Sequence, residues 1–72
     1  KNNVIDFSES GSKQLDRVKI YSLNGNEVVV IEGPVFEWRG LDSKGKKVPS
    51  GVYIYQVEEK GKVTTGTILV MR

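Results

Sequence analysis

An all-β fold is what this sequence predicts, and three observations predict it. Val and Ile together supply 16 residues, against 4 Leu and no Ala. β-branched side chains suit a pleated surface, whereas Ala and Leu are the better helix formers. Several stretches alternate apolar and polar residues with the period of a half-buried strand. Gly, Pro, Asn and Asp separate those stretches at short intervals, as hairpin connections require. Together they describe a small antiparallel β-sandwich of about six or seven strands in one domain.

The strands are expected in the following order. Val4-Ile5-Asp6-Phe7 is short and apolar, an edge strand after the polar Lys1-Asn2-Asn3. Ser8 to Lys13 is small and polar and reads as a loop. Leu15 to Leu23 alternates, with Val18 and Ile20 on one face and Arg17, Lys19 and Tyr21 on the other. Asn24-Gly25 follows; both residues tolerate positive φ, so a type I′ hairpin turn is predicted into Asn26–Glu32. The run Val28-Val29-Val30-Ile31 implies partial burial on both faces or an exposed patch. Gly33-Pro34 breaks the ladder. Val35 to Arg39 alternates again, with Phe36 and Trp38 inward and Glu37 and Arg39 outward.

Asp42-Ser43-Lys44-Gly45 has the residues of a type I β-turn, with Asp first and Gly fourth. Pro49-Ser50-Gly51 makes a corner. Gly51 to Glu59 is the central-strand candidate, with Tyr53, Tyr55 and Val57 on one face and Val52, Ile54, Gln56 and Glu58 on the other. Lys60-Gly61 is a two-residue connection. Lys62 to Met71 is the last strand; its period does not assign its faces.

Composition narrows the function classes. The chain has 72 residues, no Cys and no His. The sequence thus holds no disulfide, no thiolate or imidazole metal ligand, and no imidazole general base. Eleven Lys and Arg stand against nine Asp and Glu, a net charge of +2. The charges are interspersed, and the Lys44–Lys47 run reads as a solvated turn rather than a phosphate-binding patch. No apolar run approaches the roughly 20 residues of a helical membrane span.

The stretch from Glu37 to Tyr55 organises the rest: Trp38, Tyr53 and Tyr55 flank one polar loop. Val18-Lys19-Ile20-Tyr21-Ser22-Leu23-Asn24-Gly25-Asn26-Glu27-Val28-Val29 resembles the hairpin of FlgD-type immunoglobulin-like domains. Trp38-Arg39-Gly40-Leu41-Asp42-Ser43-Lys44-Gly45 through Val48, Gly51, Tyr53 and Tyr55 resembles that family's "W-x-G-x-D-x-x-G-x-x-V-x-x-G-x-Y-x-Y" stretch. The C-terminal part, from Pro49 to Arg72, is similar to type IX secretion sorting domains. Arg39 departs from the family pattern, which has a small acidic or amide residue there. The resemblance covers residues 15–72. It implies an immunoglobulin-like sandwich forming the C-terminal module of a bacterial protein at the cell surface or outside the cell. It implies no catalytic residues.

The structural positions singled out are Trp38, Gly40, Asp42, Gly45, Gly51, Tyr53, Tyr55, Asn24 and Gly25. Each has a rival reading. Asp42 and Ser43 offer two side-chain oxygens, short of the about six that calcium takes, so turn capping is expected. Glu58 and Glu59 are adjacent in a strand and face opposite ways. Ser10-Gly11-Ser12-Lys13 comes closest in letters to a Ser–Lys element but lies in a loop with no apolar flank. Lys19 alternates outward, against an isopeptide crosslink. Tyr21, Tyr53, Tyr55 and Trp38 suit a core better than a sugar platform. The expectation is a non-catalytic, monomeric module without cofactor or metal. Its partners would be the rest of its parent polypeptide and secretion or cell-surface machinery; carbohydrate is the alternative ligand, and nucleic acid is not expected.

Overall fold

In a computed structural model, residues 4–7 and 15–71 are described. They form β1 (Ile5–Asp6), β2 (Arg17–Ser22), β3 (Glu27–Ile31), β4 (Glu37–Trp38), β5 (Gly51–Glu59) and β6 (Lys62–Val70). The described residues contain no α-helix. Strands β1 and β4 make a two-stranded antiparallel ladder; the other four make an antiparallel sheet in the order β3-β2-β5-β6. The loop predicted at Ser8–Lys13 and the Ser10–Lys13 pair lie outside the described residues.

Alternation sets what faces the core. Val18 and Ile20 of β2 are fully buried, and Tyr53 of β5 with Ile68 and Val70 of β6 joins them. The register places Val18 beside Val57 and Ile20 beside Tyr55. Phe7, Phe36 and Trp38 bring the short ladder and its flanks to the same cluster. Rings join the two sheets: Phe7 meets Tyr55 at 5.2 Å between centroids, and Trp38 meets Tyr53 edge-on at 5.6 Å. On the outer face, Glu58 lies 3.2 Å from Arg17 and 3.4 Å from Lys19, surface pairs of small individual worth.

Two expectations change, and between them the reading of β3 as partly buried on both faces gains its reason. The segment predicted as a strand from Val35 to Arg39 is a strand only at Glu37–Trp38, because its partner β1 is itself two residues long. The apolar run of β3 is explained by a bulge: Ile20 pairs with Val29 but Tyr21 pairs with Glu27, so Val28 is an extra residue. Val28, Val29 and Ile31 therefore all contact the core.

The other change is the turn after β2. A type I′ turn needs positive φ at both Asn24 and Gly25, and only Gly25 has it, at 89°. The N–H of Gly25 donates to the Ser22 carbonyl at 2.9 Å, and the N–H of Ser22 donates to the Asn26 carbonyl at 2.9 Å. This is a three-residue connection: a type I turn followed by a left-handed glycine. The type I′ turn is instead at Lys60-Gly61, with φ of 51° and 83°. There the Lys60 N–H donates to the Asp16 carboxylate at 3.1 Å. Gly25→Ala should destabilise the domain by about 1 kcal/mol through φ strain alone, since nothing lies within 4 Å of a Cβ there. Equal urea midpoints for variant and parent would contradict it.

Candidate functional site

The loop from Gly40 to Ser50 repeats the chemistry of the first connection. The N–H of Gly45 donates to the Asp42 carbonyl at 3.0 Å, and the N–H of Asp42 donates to the Lys46 carbonyl at 2.8 Å. Gly45 has φ of 82°. In each corner the first side chain closes the turn on the fifth residue. Ser22 Oγ accepts from the Asn26 N–H at 3.3 Å, and Asp42 Oδ1 accepts from the Lys46 N–H at 2.9 Å. Asp42 Oδ1 also accepts from the Lys44 N–H at 2.9 Å. The corners touch where the Ser43 N–H donates to the Val28 carbonyl at 3.2 Å, on the outer edge of β3.

Two aromatic side chains tie this loop to the sheet. Trp38 is 2% exposed, and its Nε1–H donates to the Leu41 carbonyl at 2.8 Å. Tyr53 is 7% exposed, and its hydroxyl donates to the Pro49 carbonyl at 2.7 Å. Each ring thus buries its apolar body and gives its polar end to the loop backbone. Gly40 is buried at the loop's start, and its carbonyl accepts from the Val48 N–H at 2.9 Å. Leu41 and Lys47 bridge across the loop, and Gly51 opens β5.

A cleft of about 510 Å³ lies between the two corners. Asn24, Asn26 and Glu27 line one side; Asp42, Ser43 and Lys44 line the other. Among the described residues, no group of three or more acidic side chains could hold a metal ion. The backbone N–H groups of Lys46 and Lys44 hold the Asp42 carboxyl below the usual carboxylate range. A depressed carboxylate stabilises the fold above its unfolded pKa, and that stability is lost as pH falls through the folded pKa. Asp42→Asn should therefore flatten the loss of stability on acidification below about pH 4. Urea midpoints measured against pH check this; identical acid limbs for variant and parent would refute it.

The remaining singled-out residues scatter. Tyr55 is half-buried under Phe7, and Tyr21 is half-buried on the outer face of β2. Lys44, Lys46 and Lys47 are exposed, and Lys19 lies on the outer face with Glu58. Sequence reading passed over Ser22, whose role is visible once Ser22-Leu23-Asn24-Gly25-Asn26 is aligned with Asp42-Ser43-Lys44-Gly45-Lys46. It also passed over Gly66, where a Cβ would collide with the hydroxyl end of the Tyr55 ring. No protein-family model, no curated protein and no solved structure matches this chain.

Proposed function

We propose that the chain is an immunoglobulin-like β-sandwich that acts as a non-catalytic module at the C-terminus of an exported or surface bacterial protein. Its role is architectural: it spaces, anchors or presents its parent chain to secretion machinery. The observation that supports this most is the use of the aromatic side chains. Trp38 and Tyr53 are buried against each other and hold the Gly40–Ser50 loop by its carbonyls. A carbohydrate platform needs such rings in an exposed row, where sugar faces stack on them. The conspicuous loop is thus a structural corner, in keeping with the resemblance of its spacing to FlgD-type domains.

Affinity electrophoresis in gels containing soluble xylan, glucan or chitin derivatives tests this reading. The domain should migrate as it does without polysaccharide. Retardation that disappears in Tyr21→Ala would overturn the reading in favour of a carbohydrate-binding domain.

A further inference from the structure

The two edges of the four-stranded sheet differ. On the β3 edge, the Val28 carbonyl is bonded by the Ser43 N–H. On the β6 edge, none of the described residues pairs with the strand. The type I′ turn fixes which groups that edge offers. Glu59 and Lys62 flank a two-residue turn and form a hydrogen-bonded pair, so bonding to β5 falls on Lys62, Thr64, Gly66, Ile68 and Val70. The N–H and C=O groups of Val63, Thr65, Thr67 and Leu69 point outward from the sheet. Val63 to Met71 carries no charge and no Pro, so neither of these devices blunts the edge there.

The side chains at those positions are arranged symmetrically about Gly66. Thr65 and Thr67 stand one residue away on either side, and Val63 and Leu69 stand three away. Val63 is 58% exposed and Leu69 62%, large apolar side chains left in water. We infer that a second copy of this chain pairs with β6 edge to edge, antiparallel, about a two-fold axis through Gly66. This register matches Thr65 with the partner copy's Thr67 and Val63 with its Leu69, each pair exchanging both backbone bonds. Gly66 faces Gly66 in the close, non-hydrogen-bonded position, where the bare backbone leaves space for the Tyr55 ring that covers it in each copy. Lys62 falls opposite Val70, at the margin of the uncharged span. An isologous contact must be self-complementary; a foreign strand has no reason to match this mirror spacing. Such a weak dimer departs from the monomer expected from the sequence.

Sedimentation velocity and amide exchange on the 72-residue chain, from roughly 10 µM to about 1 mM, the span of weak association, test this. The expected result is a concentration-dependent dimer. The amides of Val63, Thr65, Thr67 and Leu69 should gain protection as it forms, while those of Thr64, Gly66 and Ile68 stay protected throughout. Val63→Lys should weaken association at least tenfold, and Val63→Lys with Leu69→Glu should restore it. The two sites are six residues apart along one strand, about 20 Å, so rescue can act only between copies. A monomer at every concentration, a dimer insensitive to Val63→Lys, or absence of rescue overturns the inference; the wild-type amide pattern decides the matter even if a variant fails to fold.

Discussion

Trp38→Ala should lower the stability of the domain by about 3–5 kcal/mol, the usual cost of removing a large ring from a core. Trp38 is nearly inaccessible, lies edge-on to Tyr53, and gives its indole N–H to the Leu41 carbonyl. Its loss opens a cavity between the sheets and leaves that loop carbonyl without its donor. A domain of 72 residues has a net stability of only about 4–11 kcal/mol at typical values per residue, so the variant should lose a large share of it and melt at least about 12 °C below the parent. Trp38→Phe separates the two contributions, since it keeps most of the ring and loses the hydrogen bond. It should cost about 1–2 kcal/mol. Circular dichroism melts of the three proteins give the comparison, and a Trp38→Ala midpoint within a few degrees of the parent would show that the ring is not a core element.

Gly66→Val should be the second most damaging change. The Tyr55 ring lies directly over Gly66 on the inner face of β6, so any Cβ there meets the ring carbons and hydroxyl. Tyr55 is itself held by Phe7 and cannot swing aside without disturbing the contact between the sheets. Overpacking of this kind costs about 1–3 kcal/mol, and more where the neighbour is pinned. Tyr55→Ala should relieve the clash, so the double variant should be more stable than the sum of the two single losses predicts. Additive losses in a double-mutant cycle would mean that the ring does not cover Gly66 in solution.

What the sequence made legible, and what it hid, follows from the range of each interaction. Gly51–Glu59 was readable as a central strand because its alternation is set by nearest neighbours, and the strand spans those same residues. The hairpin at Asn24-Gly25 was located by its glycine, but its turn type was not. Gly25 at positive φ serves either a type I′ turn or a type I turn with a bulge, and the choice rests on the Ser22–Asn26 bonds. The faces of β6 were illegible because its inward positions include Thr64 and Gly66, residues that carry no apolar signal. Gly66 faces inward opposite an aromatic ring 11 residues earlier, a relation that exists only across the ladder. The Val28–Ile31 run left partial burial on both faces and an exposed patch as alternatives, because a bulge cannot be seen in a period of two. In the candidate site, Asp42 and Gly45 were readable from turn chemistry. The hydrogen bonds of Trp38 and Tyr53 to Leu41 and Pro49 were not, since they depend on how the loop folds back on the sheet.

Trp38 and Tyr53 hold the Gly40–Ser50 loop to the core by its carbonyls, so the loop should open only when the core does. Hydrogen exchange of the Trp38 indole N–H measures this most directly, because that proton sits in the bond joining ring to loop. The account predicts exchange as slow as that of the fully buried Ile20 amide, with both released only by global unfolding and both accelerated equally by low urea. Indole exchange orders of magnitude faster than the Ile20 amide, and independent of urea, would show a loop that opens on its own and would contradict the account.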